Sequence, residues 1–161
     1  MLPTSSPTDW QQLFQHIQRP KTVSIIGAPM TYGQPYVGTD HSPTLLREAG
    51  LLHHLASLGW RIHDNPDLDF NHHKNHTTTR DNEYLHSSTF QELPNAKNSS
   101  LVGKGCKMLA DIVYKEIIDG KFPLILGGDH SIGVGSLSGI LRARPNVGVI
   151  WYVYHFLHSS F

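Results

Sequence analysis

Phe122-Pro123-Leu124-Ile125-Leu126-Gly127-Gly128-Asp129-His130-Ser131 opens as an apolar run the length of one buried strand. Two glycines then free the backbone for a sharp turn. A carboxylate, an imidazole and a hydroxyl follow. The next residues, Ile132 to about Arg144, continue in a helical pattern. In open α/β sheets ligand sites gather at the carboxyl ends of strands, and Asp129 and His130 stand at such an end.

Working outward, the same alternation of strand and helix repeats on both sides. Ser99 to Gly120 reads as a long helix with Leu101, Cys106, Leu109, Ala110, Val113, Ile117 and Ile118 along one face and Gly120 as its stop. Thr22-Val23-Ser24-Ile25-Ile26-Gly27-Ala28 is a β-branched run and predicts a buried first strand. A Gly/Pro-rich loop from Pro29 to Gly38 follows it. Ser42-Pro43 then predicts one helix running to about Leu58, with Ser42 as its cap, Pro43 in its first turn and Gly59 as its stop. Trp60 to Asp64 is a second strand, and Val147-Gly148-Val149-Ile150-Trp151 a fourth. Strands alternating with helices predict a parallel sheet covered on both faces, a three-layer α/β/α architecture.

Composition narrows the function. Lys plus Arg and Asp plus Glu number 13 each in the 161 residues. No basic stripe marks a nucleic-acid or anionic-membrane surface. The single Cys106 excludes an internal disulfide and, inside a helical pattern, reads as a buried structural thiol. No apolar run approaches the ~20 residues of a membrane span. Met1 to Pro7 has neither a basic region nor a long apolar one, so a cytoplasmic location is expected. Residues 1–20 form an arm and a short amphipathic helix built on Trp10, Leu13, Phe14 and Ile17. Residues 65–98 form a long polar loop. It contains His72, His73 and His76 after Asp67 and Asp69, and that spacing matches no known ligand motif, so it reads as solvated loop rather than metal site.

Gly127-Gly128-Asp129-His130-Ser131 resembles the first signature motif of the ureohydrolases, the arginase and agmatinase family. Gly27-Ala28-Pro29, Gly33-Gln34-Pro35, Gly38, Leu46-Arg47 and Ala49-Gly50-Leu51-Leu52 resemble the arginase branch more than the agmatinase branch. The resemblance covers residues 21–151, the amino-terminal part of a family domain with about four of eight strands. It implies hydrolysis of L-arginine to L-ornithine and urea by water activated between two manganese ions. It also implies that His130 is a ligand of one ion and that Asp129 orients the imidazole. It assigns no catalytic or substrate-binding residue to the part present.

After Trp151 the resemblance breaks. Where the family continues with carboxylate and imidazole ligands, the chain reads Tyr152-Val153-Tyr154-His155-Phe156-Leu157. Laid on without a gap, Val153 and Leu157 replace two Asp ligands, and His155 alone matches. Residues 152–161 therefore read as a tail foreign to the family, as in a truncated or alternatively terminated product. Manganese binding and arginase activity are both expected to fail in this chain, because imidazoles without carboxylates do not hold a hard divalent pair. The layout the resemblance implies would also leave the fourth strand without neighbours. It would then repack beside the third or remain exposed. Homo-oligomers and association with full-length subunits stay open as partner classes. A nucleotide site at Gly133-x-Gly135-x-x-x-Gly139 stands against the absence of an acidic residue about 20 positions on.

Overall fold

The computed structural model describes residues 21–35, 37–70 and 98–152. The amino-terminal helix built on Trp10 to Ile17, the histidines His72, His73 and His76, and His155 lie outside those residues. Three strands, β1 (Thr22–Gly27), β2 (Arg61–Asp64) and β3 (Phe122–Leu126), form one parallel sheet in the order β2-β1-β3. Helices α1 (Ser42–Glu48) and α2 (Leu51–Ser57) join β1 to β2. α3 (Ser99–Ile118) precedes β3, and α4 (Ile132–Ala143) follows it.

β1 is the central strand, and its side chains alternate between the faces. Val23 and Ile25 pack with Leu126 against Leu51, Leu52 and Leu55 of α2. Ile26 points the other way, into a cluster with Leu109, Val113 and Ile117 of α3 and with Ala28, Met30 and Phe70. Both faces are thus covered, and the three-layer reading holds. α3 buries Gly105, Cys106, Leu109, Val113, Glu116 and Ile117, which recur at three- and four-residue steps on one stripe. Along that stripe it meets α4 where α4 has no side chains. A Cβ on Gly135 would lie 2.7 Å from the Cys106 carbonyl oxygen, and one on Gly139 would lie 2.6 Å from that of Ala110. These two glycines exist for close helix packing, which accounts for the pattern that had suggested a nucleotide loop.

Three expectations are corrected. The single helix over 42–58 is two, because Gly50 takes a left-handed conformation at φ 91° and the helical ladder restarts there. Ser42 does not cap it. α1 is entered from a 3₁₀ turn (Thr39–His41), its cap position is His41, and only Pro43 keeps its expected place in the first turn. The fourth strand does not form among the described residues. Val147 to Trp151 pairs with nothing in the sheet, and Ile150 is 97% exposed. Its composition suits a strand, but strand structure needs a neighbour to take its backbone groups, and no described segment provides one. Among the described residues the sheet therefore has three strands where four were expected.

Buried polar groups brace the sheet. At the foot of β3 the Lys121 ammonium lies 2.7 Å from Glu116 and 2.9 Å from Asp119. Burial opposes the Glu116 carboxylate, yet hydrogen bonds from Lys121 and Ser24 outweigh it and hold that carboxyl below its ordinary value. Burial likewise opposes the Lys121 charge, and its bonds to Glu116 and Asp119 push it up. At the opposite end, Arg47 of α1 donates from Nε and Nη2 to Asp64 at 3.1 and 2.9 Å and from Nη1 to Asp67 at 2.8 Å. The Asp64 bonds lead in raising the guanidinium further. This fork ties the first helix to the segment leaving β2.

Candidate functional site

The turn after β3 is built from the backbone upward. Gly127 has φ 21° and Gly128 φ 113°. A Cβ at Gly127 would sit 2.5 Å from Ser42 Cβ, and one at Gly128 would sit 2.3 Å from the Ala28 carbonyl oxygen. Neither position admits a side chain, so the pair lets the turn lie directly against the chain leaving β1. Backbone bonds fix that contact: Ala28 N–H donates to Leu126 at 2.9 Å, and Asp129 N–H donates to Met30 at 2.8 Å.

Asp129 is buried at 4% exposure. One carboxylate oxygen accepts the Gly33 N–H at 2.7 Å, and the other accepts the Ser131 N–H at 2.8 Å and the Ser131 hydroxyl. The carboxylate therefore clamps the 28–35 loop to the turn. The expected partner, the His130 ring, receives none of these bonds. Asp129 is linked to His130 through the backbone they share. The motif suggested a neighbour in sequence, whereas the carboxylate reaches a loop 96 residues away.

His130 is exposed beside an open cleft of about 350 Å³, lined by Asp129, Ile125, Ile132, Gly133, Ser136 and Trp151 as well. Beneath it, the buried Cys106 thiol donates to the Ser131 carbonyl at 3.2 Å. Burial pushes that thiol up, away from the reactive thiolate, and the structural reading of Cys106 holds. Among the described residues no group of three or more His, Cys, Asp or Glu could hold a metal ion. The Arg47 fork and the Glu116–Lys121 pair were not found from the sequence. The Arg47 fork joins residues 17 and 20 positions apart, which only chain folding brings together, and the Glu116–Lys121 pair closes across the turn that ends α3.

The cleft supplies an imidazole, apolar walls and the first turn of a helix, on a turn that its neighbours hold rigidly. That arrangement can offer one nitrogen ligand or one proton carrier. Among the described residues the carboxylate beside the imidazole is Asp129, whose oxygens are engaged by Gly33 and Ser131.

Residues 21–156 match the arginase family model. The chain is 41% identical over 137 residues to arginase-1 of Bos taurus, covering 85% of this chain and 38% of that protein. It is 39% identical over 135 residues to the arginase of Bacillus subtilis, covering 84% and 40%. Among solved structures, the native arginase of Bacillus caldovelox at pH 5.6 superposes with a TM-score of 0.66 at 33% identity, over 84% of this chain and 42% of that one. The arginase of Entamoeba histolytica, in complex with L-ornithine, superposes with a TM-score of 0.57 at 27% identity, over 78% and 38%. The chain thus spans about two fifths of the length of the relatives it matches.

Proposed function

The chain belongs to the arginase family, and from that premise we propose that it carries one corner of a ureohydrolase site, that of the conversion of L-arginine and water to L-ornithine and urea, and that alone it does not turn over. The carrying observation is the glycine turn after β3, which presents His130 at the carboxyl end of a strand in a chain 41% identical to an arginase. The L-ornithine held by the Entamoeba histolytica relative supports an amino-acid substrate of that class.

The described residues do not fit a pair of manganese ions. A hard divalent pair needs several carboxylates. Asp129 spends both oxygens on Gly33 and Ser131, and no cluster of three potential ligands exists among the described residues. No chemical step through manganese follows from them. What remains is too little for the reaction. The guanidinium carbon is a poor electrophile, and its hydrolysis needs an activated water. An exposed imidazole without an orienting carboxylate supplies a small part of the ~8–23 kcal/mol that enzymes provide. Among the described residues no helix is long and apolar enough to cross a membrane, and a cytoplasmic setting is part of this proposal.

The purified chain with Mn²⁺ and L-arginine is expected to release no urea, and measurable release that His130→Ala abolishes would refute the inactive reading. The ancestral reading has its own test. Residues 21–151 joined to the carboxyl-terminal part of the Bacillus caldovelox arginase should release urea, and His130→Ala should remove that activity. An active hybrid indifferent to His130 would show that the histidine is no part of the site.

A further inference from the structure

The three parallel strands leave the sheet at one end, the end where His130 stands, and α1 reaches all three exits. Arg47, in the last turn of that helix, donates to Asp64 at the end of β2, to the Asn65 carbonyl at 3.3 Å and to Asp67 at 2.8 Å. It also reaches back to its own helix start, where Nη1 donates to the Pro43 carbonyl at 3.3 Å. Asp67 lies against the end of β1. A Cβ on Gly27 would overlap its carboxylate, and the Leu68 N–H donates to the Gly27 carbonyl at 2.9 Å.

Both ends of this fork converge on one residue. Gly27 is the register partner of Leu126, which immediately precedes the glycine turn. Ser42, beside Pro43, touches the turn directly: a Cβ on Gly127 would come 2.5 Å from Ser42 Cβ. Gly127 is thus held between the helix start and the end of β1, and the clamp of Asp129 on Gly33 begins two residues further on.

We propose that Arg47 is a positioning residue for the site: its fork fixes α1 and the exit of β1 together, so that Ser42 and Gly27 set the place of Gly127 and, through it, the turn that carries His130. This rests on the reading that His130 belongs to the site. Lysine cannot take over the role. Its ammonium is a point charge on a flexible stem, whereas two carboxylates and a carbonyl around Arg47 need the planar fork of a guanidinium.

The test reads the turn itself by NMR on the full chain, without urea release. A hybrid enzyme indifferent to His130 would therefore strike the proposed activity and leave these measurements standing. Arg47→Lys keeps the charge and Arg47→Ala removes it. In both, the Asp129 and Ser131 amides, each donating at 2.8 Å, should exchange about tenfold or more faster relative to the β1 amides. The His130 ring resonances should shift with them. Lys121→Met weakens the opposite end of the sheet. There the turn and β1 should accelerate together, and the His130 ring signal should stay in place. If the alanine variant does not fold, Arg47→Lys carries the comparison alone. The proposal is overturned if the turn and β1 accelerate equally in Arg47→Lys, if the His130 ring resonances ignore Arg47, or if Lys121→Met loosens the turn as selectively.

Discussion

Two identical substitutions on the paired helices should act with opposite sign. Gly139→Ala adds a methyl group 2.6 Å from the Ala110 carbonyl oxygen and 2.8 Å from Val113 Cβ. Both distances are below any real Cβ contact, and one obstacle is backbone, so α3 and α4 must separate. Overpacking of this kind costs ~1–3 kcal/mol, and a rigid obstacle calls for the upper end. Alanine returns ~1 kcal/mol through its better helix propensity. The net expectation is a loss of about 2 kcal/mol. Gly103 lies on exposed α3 with nothing within 4 Å of its would-be Cβ. There Gly103→Ala should gain ~0.5–1 kcal/mol from propensity alone. Urea titration by circular dichroism measures both, with the midpoint moving and the slope unchanged. Equal stabilisation by the two alanines would refute close packing of α3 on α4, and with it the account of Gly135 and Gly139.

Other perturbations address the polar braces and the site. Lys121→Met strands Glu116, whose side chain is 4% exposed; breaking a buried ion pair by removing one partner costs ~3–5 kcal/mol. The same pair sets a pH window for thermal stability. Glu116 is depressed in the fold, so its share is present above about 4.3 and drains as pH falls through the lower folded value. Lys121 is raised, so its share is present below about 10.4 and is lost as pH climbs through the higher folded value. A melting temperature that is flat across both limbs would contradict this pairing. Asp129→Asn turns an NH2 group, which cannot accept, toward either the Gly33 or the Ser131 N–H, and a loss of ~1–3 kcal/mol is expected in the same titration. His130→Ala should change stability by less than ~0.5 kcal/mol, as for exposed side chains generally.

What the sequence revealed depended on the range of the interactions. β1, β3 and α3 were legible because burial on a strand or helix face writes a local period, as Val23, Ile25 and Ile26 or Leu109, Val113 and Ile117 show. The break at Gly50 was hidden because Leu51, Leu52 and Leu55 carry the apolar pattern across it. The family turn was legible from five residues, but the clamp of Asp129 on Gly33 was not, since it is a product of folding. The Arg47 fork was invisible for the same reason. Val147 to Trp151 failed differently: composition reports what a segment can become, and pairing depends on what lies beside it.

The contrast between Asp129 and His130 carries the functional argument. Asp129 is buried and faces the part of the fold that this chain completes by itself: β1, its loop and the start of α4. His130, one residue later, faces the cleft, where the one described carboxylate of the lining, Asp129, has both oxygens engaged by Gly33 and Ser131. The turn is therefore held rigidly from one side only. A side chain on a rigid turn keeps its place without its neighbours, because the turn's own bonds set the backbone that carries it. That is why a hybrid supplying the remaining ligands should recover activity through His130 while stability stays indifferent to it. If His130→Ala destabilised the isolated chain as much as Asp129→Asn does, the imidazole would be part of the scaffold, and the separation between the built side and the open side of this site would fail.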